Sequence, residues 1–530
     1  MLFLQIAGAA LLAILLTGLI LRLLFPLPPL EPRAHSVSFT GTEKTSLGRS
    51  IARLAAAHPG KSGVYPLGDA HEAFAARILL ANAAERSLDL QYYIFRADVS
   101  GRLLIAALRE AADRGVRVRI LLDDNGTAGI DRLLAALDAH PNMEVRLFNP
   151  FVIRWPKPLG YLMDFFRLNR RMHNKSFTAD GQATIIGGRN IGDEYFGAQD
   201  SNLFADLDVL GAGPVAAEVS ADFDLYWNCA SSWPAARILK RVHPEEDASF
   251  ARALTGIEND PKCRAYRHTI GGLSHIRRLL AGDLPLEWTK VRMVSDNPAK
   301  ALGKLPAGES MVDRFVSVLE HPKAEAGLVS PYFVPTKAGV EAFAMLGEQG
   351  VAVSALTNSF RASDVILVHA GYSRYRKPLL RAGVRLFELC GEERRHASQH
   401  RRLLGSGSGR GGSRPTLRSV GTVLHAKTFT GDRRHIFIGS FNFDPRSMHL
   451  NTELGFTIES PGMAGELQDR FDAAMAPHAY ELVLTDRGRL NWIERDGHGG
   501  EVCHNIEPGT RFAGRMAMHV VSRLPIEWML

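Results

Sequence analysis

Apolar residues follow a repeating order of helical and strand-like spacing along the chain. In the first half a helical pattern, an apolar run, a second helical pattern and another apolar run occupy residues 70–84, 88–95, 101–114 and 116–122. Strand, helix and strand in this order predict a βαβ unit with parallel strands. The same order returns at residues 328–334, 338–348 and 351–356, followed by a helix over 364–382 and a strand over 384–389. The pattern therefore predicts two similar α/β halves.

Each half also contains one short stretch in which polar residues interrupt an apolar run. The two stretches are residues 172–180 and 424–432, and each has a His, a Lys two residues later and an Asp five residues after the Lys. These residues are His173, Lys175 and Asp180 in the first stretch and His425, Lys427 and Asp432 in the second. In both, Gly-(Gly/Ser)-x-Asn begins fourteen residues after the His. The alternation predicts a strand with His and Lys on one face, a turn at the Asp and a returning strand.

These residue types suit the transfer of a phosphoryl group. One imidazole can attack phosphorus while the other protonates the leaving oxygen, and the lysines can neutralise the phosphate oxygens without a metal ion. The candidate phosphate-binding residues are the Gly, Ser and Asn of the downstream segments, namely Gly188, Asn190, Ser440 and Asn442. The alternative is a pair of core hairpins with no chemical role, which is disfavoured because an unpaired buried Lys is costly.

The repeated His-x-Lys-(x)4-Asp motif is the signature of the phospholipase D superfamily. More narrowly, residues 171–175 and 187–190 resemble bacterial cardiolipin synthases of the phospholipase D type, and the resemblance extends from about Tyr65 to the C-terminus. It implies two tandem phospholipase D-like α/β/α sandwich domains related by a pseudo-twofold axis, with both histidines where the halves meet. It also implies that His173 is the nucleophile and that no cofactor takes part.

The internal alignment continues beyond the motifs and adds two carboxylates. Residues 205–209 lie opposite residues 452–456, so Asp206 and Glu453 occupy equivalent places. A carboxylate at this place could orient a catalytic imidazole and set its tautomer, or it could close a surface turn. Asp180 and Asp432 are expected to secure the turns of their motifs rather than to transfer protons.

The N-terminal residues 2–25 are almost wholly apolar, which is long enough to cross a bilayer. They predict an uncleaved transmembrane anchor over residues 1–25 rather than a signal peptide, because no basic segment precedes them. A tether over 26–69, a first domain over 70–250 and a second over 290–530 follow. The nearest cations, Arg22 and Arg33, lie after or at the end of the apolar run, which favours a cytoplasmic catalytic body at a bacterial inner membrane.

Two further segments and the net charge bear on the substrate. The charge of +7 suits anionic phospholipids and nucleic acids equally. Residues 148–171 mix aromatic and basic residues, which predicts either a basic helix at a membrane interface or a core-covering helix. Residues 391–422 are rich in Arg, Gly, Ser and His and predict a flexible loop.

The resemblance therefore predicts a membrane phosphatidyltransferase that acts on phospholipids and makes cardiolipin. The acceptor is phosphatidylglycerol, and the donor is phosphatidylglycerol or phosphatidylethanolamine. The single apolar segment favours the third type of cardiolipin synthase, for which the resemblance implies phosphatidylethanolamine as donor and an accessory protein that the sequence does not identify. Hydrolysis of phospholipids to phosphatidic acid and nuclease activity are the alternatives, and no nucleic acid partner is expected.

Overall fold

The computed structural model describes residues 1–198, 203–240, 260–273, 275–318, 322–363, 365–390, 423–495 and 500–530. The segment 391–422, for which the sequence predicts a flexible loop, lies outside the described residues.

The α-helices in chain order are α1 Leu2–Leu24, α2 Ser46–Ala55, α3 Ala70–Ala83, α4 Val99–Asp113, α5 Asp131–Asp138, α6 Gly160–Leu168, α7 Asp193–Phe196, α8 Pro214–Asn228, α9 Ala235–Ile238, α10 Pro261–Gly271, α11 His275–Ala281, α12 Met311–Val318, α13 Thr336–Glu348, α14 Ile366–Ser373, α15 Arg376–Arg381, α16 Pro445–His449, α17 Pro461–His478 and α18 Phe512–Val521. Short 3₁₀ helices cover Thr42–Lys44, Lys157–Leu159, Pro298–Leu302 and Glu527–Met529.

The strands are β1 Ser62–Leu67, β2 Ser87–Ile94, β3 Arg117–Gly126, β4 Met143–Phe148, β5 Ser176–Ala179, β6 Ala183–Gly187, β7 Phe204–Ala205, β8 Asp208–Ala212, β9 Ser232–Pro234, β10 Glu287–Thr289, β11 Val291–Ser295, β12 Glu325–Val329, β13 Ala352–Asn358, β14 Arg385–Leu389, β15 Val423–Leu424, β16 Thr428–Gly431, β17 His435–Gly439, β18 Leu454–Glu459, β19 Ala479–Leu484, β20 Leu490–Arg495 and β21 Glu501–His504.

The strands form one large sheet in each half of the chain. The first sheet has the order β10-β1-β8-β6-β5-β2-β3-β4-β9, and the second has the order β11-β18-β17-β16-β12-β13-β14-β19-β20-β21. Strands β2, β3 and β4 are parallel, as are β12, β13 and β14. The predicted βαβ units and the α/β fold with two similar halves are therefore confirmed.

Alternating residues of a strand in the first sheet reach helices on opposite faces. Ile120 of β3 joins the core formed with Leu104 of α4. The neighbouring Arg119 points to the other face, where its guanidinium lies 4.9 Å from the Phe223 ring of α8. Because Arg119 also pairs with Asp89 at 2.7 Å, the buried charge is balanced inside this layer.

The two halves pack together through the antiparallel parts of their sheets. Ile186 and Val209 of the first half share one apolar cluster with Ile438 and Phe456 of the second. This packing places β6 and β8 beside β17 and β18. The ends of these strands, where both motifs lie, therefore meet at one seam.

Several elements differ from the sequence-based expectation, among them the strand expected over 328–334, which is β12 Glu325–Val329. Residues 62–67, assigned to the tether, form β1 and pair with β8 of the first sheet. The helix expected over 364–382 is two helices, α14 and α15, because Pro378 has no N–H to bond the carbonyl of residue 374. The motif strands begin at Ser176 and Thr428, later than expected, because the backbone of each motif histidine pairs with the opposite half.

The N-terminal apolar segment forms helix α1, whose Gly18 lies against the backbone of Leu162 in α6. Within the described part of the chain, no helix is long and apolar enough to cross a membrane. The transmembrane anchor expected over residues 1–25 is therefore not confirmed.

Candidate active site

Each motif is held at the seam by the backbone of the opposite half. The N–H of His173 donates to the carbonyl of Thr452 at 2.9 Å, and the N–H of Thr452 donates to the carbonyl of Arg171 at 2.9 Å. In the other direction, the N–H of His425 donates to the carbonyl of Ala205 at 2.8 Å. These short parallel pairings join the halves where the histidines lie.

The two candidate orienting carboxylates contact histidines across the seam. Nδ1 of His173 lies 2.8 Å from Oε2 of Glu453, and Nδ1 of His425 lies 2.6 Å from Oδ2 of Asp206. Both carboxylates are fully buried, while both imidazoles keep a small exposed edge. Each half therefore supplies the carboxylate for the histidine of the other half. An ionised carboxylate next to Nδ1 keeps the ring proton on that nitrogen and leaves a free lone pair on Nε2.

Ser440 and Gly188, which the sequence nominates for phosphate binding, both adjoin these carboxylates. The Ser440 hydroxyl donates to Oε2 of Glu453 at 2.5 Å and accepts from the N–H of Leu454 at 3.0 Å. A Cβ at Gly188 would lie 2.1 Å from Oδ1 of Asp206, so only glycine leaves room for this carboxylate. The two equivalent positions thus hold the carboxylates in place by different means.

The two asparagines after the motifs differ in their hydrogen bonding. Asn190 accepts from the N–H of Ile94 at 3.1 Å and donates to the Tyr195 hydroxyl at 2.9 Å, so both ends of its amide are used within the protein. Asn442 is 3% exposed, and its Oδ1 has no hydrogen-bond partner within the described residues. Because an amide can exchange O and N by a flip, this end can present NH2 to an anion.

Both motif lysines are buried and lie against their own histidines. Nζ of Lys175 donates to the carbonyl of His173 at 2.5 Å. Nζ of Lys427 donates to the carbonyl of His425 and lies 3.0 Å from its Nδ1. Burial lowers the pKa of Lys175 to about 7, although Glu453 opposes this shift. A bound phosphate would favour the charged form of both lysines.

The surroundings of both imidazoles favour the neutral form. Burial, followed by the charges of Lys175 and Lys427, lowers the pKa of His173 well below its usual value. Burial and Lys427 lower the pKa of His425 to about 4, although Asp206 opposes the shift. A neutral imidazole has the free nitrogen that a nucleophile requires, and an incoming phosphodiester anion would favour protonation of the other ring.

The pKa values of the two carboxylates shift in opposite directions. Burial would raise the pKa of Asp206, but His425 and Lys427 outweigh it and hold this pKa below its usual value. Burial raises the pKa of Glu453 to about 7, and Lys175 and Ser440 offset this rise only in part. The site is therefore symmetric in geometry but asymmetric in its electrostatics.

Aromatic side chains that were not predicted from the sequence to belong to the site surround the imidazoles. The Tyr93 ring meets His173 edge-on at 5.0 Å. On the other side, Phe204 stacks on His425 at 5.0 Å and Tyr195 meets it edge-on at 5.2 Å. Tyr93 could have been found from its place at the carboxyl end of a parallel strand, where α/β proteins gather their sites.

The motif aspartates hold backbone rather than the seam. Asp180 accepts from the N–H groups of three consecutive residues, Glu85, Arg86 and Ser87, at 2.8–3.1 Å. Asp432 accepts in the same way from Lys323, Ala324 and Glu325 at 2.8–3.1 Å. Both have φ near +50°, as the predicted turns require. They anchor the start of β2 and β12 to the hairpins.

Four of the five cations of the segment 148–171 form internal ion pairs. Arg154 pairs with Asp124 at 2.5 Å, and Lys157 pairs with the same carboxylate at 3.0 Å. Arg171 pairs with Asp123 at 2.6 Å, where both side chains are buried. This pairing favours the core-covering alternative for these cations.

Within the described residues, no group of three or more His, Cys, Asp or Glu side chains could hold a metal ion.

The sequence matches one protein-family description and is similar to several known proteins. The family described as "Cardiolipin synthase, PLD-like domain" matches residues 78–227 and 315–475. The chain is 46% identical to cardiolipin synthase C of Escherichia coli K12 over 484 residues, which cover 91% of this chain and 99% of that protein. It is 32% identical to an uncharacterized protein of Helicobacter pylori J99 over 500 residues, which cover 91% and 92% of the two chains.

Among solved structures, the phosphatidylserine synthase of Haemophilus influenzae Rd KW20 is similar in fold. The TM-score is 0.54, and the match covers 91% of this chain and 100% of that one. The sequence identity is 13%, so this likeness concerns the fold alone.

Proposed function

The chain belongs to the family of cardiolipin synthases with phospholipase D-like domains, and from this membership we propose that it is a phosphatidyltransferase that makes cardiolipin. The observation that carries the mechanism is the crossed pairing of two histidines with two carboxylates at one seam. Two such imidazoles provide a nucleophile and a separate acid–base group, which is what a two-step transfer at phosphorus needs.

In the first step, Nε2 of His173 attacks the phosphorus of a donor phospholipid. The P–N bond forms as the bond to the headgroup oxygen breaks, and His425 gives its proton to the leaving oxygen. Lys175, Lys427 and Asn442 bind the phosphate oxygens, where charge builds up in the transition state. Asp206 and Glu453 keep the rings oriented, and Asp180 and Asp432 hold the hairpins that carry them.

In the second step, His425 is neutral and accepts a proton from a hydroxyl of phosphatidylglycerol. The resulting oxygen nucleophile attacks phosphorus, the P–N bond breaks and His173 returns to its starting form. The products are cardiolipin and the headgroup alcohol released earlier, which is glycerol from phosphatidylglycerol or ethanolamine from phosphatidylethanolamine. The likeness to cardiolipin synthase C supports the donor of the third type, phosphatidylethanolamine.

A lipid-product assay tests this function. Purified protein is added to liposomes of phosphatidylglycerol, with and without phosphatidylethanolamine, and the lipids are separated by mass. We expect cardiolipin to appear with the wild type and to be absent with His173→Ala, because the covalent intermediate cannot form. A rise in cardiolipin on adding phosphatidylethanolamine, with release of ethanolamine, would identify the donor.

Two results would contradict the transferase assignment. Phosphatidic acid without cardiolipin means that water takes the place of the acceptor and that the protein is a phospholipase. No lipid turnover under any composition removes the lipid substrate altogether, and nucleic acid becomes the substrate to test.

We further propose that helix α1 attaches the protein to the lipid phase of a bacterial membrane. Leu15 and Leu19 lie one turn apart on α1 and are 61% and 55% exposed. Burying such side chains in lipid is favourable by roughly 1.5–3 kcal/mol each. We expect Leu15→Ser with Leu19→Ser in the full chain to lower flotation with liposomes about tenfold or more. Val37→Ser, at another exposed apolar position, is the control, and unchanged flotation of the double variant would remove α1 from membrane attachment.

A further inference from the structure

A row of polar side chains leads from His173 to helix α6. The Tyr93 ring contacts His173, and the Tyr93 hydroxyl accepts from Nδ2 of Asn125 at 3.2 Å. Oδ1 of Asn125 in turn accepts from the hydroxyl of Tyr161, the second residue of α6, at 3.4 Å. The last link is the longest, so a ligand oxygen can compete for the Tyr161 hydroxyl with little loss.

Among the described residues, the positions of the second half that correspond to Tyr93 and Asn125 do not continue such a row. An isolated β-bridge joins Phe95 to Ile191 in the first half, and an equivalent one joins Phe333 to Phe443 in the second. Tyr93 and Pro331 each lie two residues before the first member of their bridge, so they correspond. Asp123 and Asn358 are equivalent, because each accepts from the N–H of the residue just before a motif histidine. Asn125 lies two residues after Asp123, and Phe360 lies two residues after Asn358. Asn125 therefore corresponds to Phe360.

Neither Pro331 nor Phe360 has a side-chain hydrogen-bonding group. The side of the site next to His173 therefore offers hydroxyl and amide groups that the corresponding positions next to His425 do not. Beside His425, the Tyr195 hydroxyl accepts from Asn190 at 2.9 Å, and the other end of that amide accepts from the N–H of Ile94, so this pair is bonded within the protein. The row beside His173 instead ends in the longer bond of the Tyr161 hydroxyl, which makes the two sides suited to different parts of a substrate.

Beyond Tyr161, the row continues into an apolar surface on α6. The Tyr161 ring lies 6.3 Å from that of Phe165, which lies 5.8 Å from that of Phe166. Phe166 is 73% exposed and Leu162 is 45% exposed. The backbone of Leu162 also lies against Gly18 of α1. This surface therefore runs without a gap from the polar row to the helix proposed to meet the lipid phase.

We propose that the polar row and this α6 surface bind the diacylglycerol part of the donor phospholipid. The ester carbonyls accept hydrogen bonds from Tyr161 and Asn125, and the acyl chains pack on Leu162, Phe165 and Phe166. This assignment rests on the proposed function, with His173 as nucleophile. In an in-line displacement the leaving alcohol departs opposite to His173, on the side of His425. The diacylglycerol oxygen stays on phosphorus in the plane between the two histidines, so the diacylglycerol part extends sideways from the seam, where the row from Tyr93 to Tyr161 leads to the α6 surface.

Ether-linked lipids test this inference because they lack the ester carbonyls. Initial rates are compared for phosphatidylethanolamine in a diester form and in a diether form with the same chains, each mixed with the same phosphatidylglycerol acceptor, and the cardiolipin that carries the donor chains is followed by mass. We expect wild type to use the diester about 5- to 10-fold faster, since one hydrogen bond has about this value. Tyr161→Phe should lower the diester rate toward the diether rate and leave the diether rate unchanged. Tyr65→Phe, a half-buried tyrosine of β1, is the matched control.

Other outcomes overturn the inference in distinguishable ways. An equal loss on both lipids means that the hydroxyl supports the fold, and a thermal melt of the variant identifies that case. A changed preference between phosphatidylglycerol and phosphatidylethanolamine headgroups, at an unchanged diester-to-diether ratio, means that the row binds the headgroup. Failure of wild type to form cardiolipin from either lipid refutes the proposed function itself.

Discussion

We expect His173→Ala to form no covalent lipid adduct, and His425→Ala to accumulate one. Without the His173 imidazole there is no nucleophile, so the rate with natural lipids should fall by on the order of 10⁴-fold or more. Without His425 the headgroup oxygen leaves unprotonated, but a headgroup such as nitrophenol needs no proton to leave. Its adduct should then persist, because nothing deprotonates the acceptor. Intact-protein mass spectrometry after incubation with a nitrophenyl phosphatidyl donor measures both.

His435→Ala is the control, since His435 begins β17 away from the crossed pairs. It should turn over the donor at the wild-type rate and show no lasting adduct. Equal adduct on the two active-site variants would contradict the assignment of separate roles. Adduct on His173→Ala alone would reverse the roles, making His425 the nucleophile.

Much of the fold follows from repetition in the sequence. Two apolar patterns in the same order predict the parallel strands of both sheets, because a strand–helix–strand unit has essentially one stable arrangement. The turns at Asp180 and Asp432 also follow from local signals. The ends of the helices and strands depend instead on residues far along the chain. Strand β1, for example, is part of the first sheet because it pairs with β8 and β10.

The site is predictable in its residues but not in its pairing. Alignment of the halves shows that Asp206 and Glu453 are equivalent, yet it cannot tell which histidine each one faces. That depends on how the halves dock, across sequence separations of 280 and 219 residues. For the same reason, Ser440 and Asn190 look like phosphate ligands in sequence, while their polar atoms form hydrogen bonds inside the protein.

The crossed pairing leads to an expected result that the sequence alignment alone would not give. Glu453→Gln should behave like a partial loss of His173, and Asp206→Asn should behave like a partial loss of His425. Each amide keeps the size of the side chain but loses the charge that fixes the proton on Nδ1, which costs on the order of 10²- to 10⁴-fold in comparable sites. Rapid-quench kinetics with the nitrophenyl donor separate adduct formation from adduct breakdown.

Glu453→Gln should slow the formation of the adduct, whereas Asp206→Asn should form it readily and slow its transfer to phosphatidylglycerol. If each carboxylate served the histidine of its own half, the two phenotypes would be exchanged. Glu453→Asp, which keeps the charge, should recover part of the first-step rate, and a merely structural role would not restore it. Glu459→Gln, a surface carboxylate paired with Arg434, is the matched control. A thermal melt of Glu453→Gln checks the fold, because Glu453 also bonds His173 and Ser440, and a lost first step with an unchanged melting temperature reports on chemistry rather than folding.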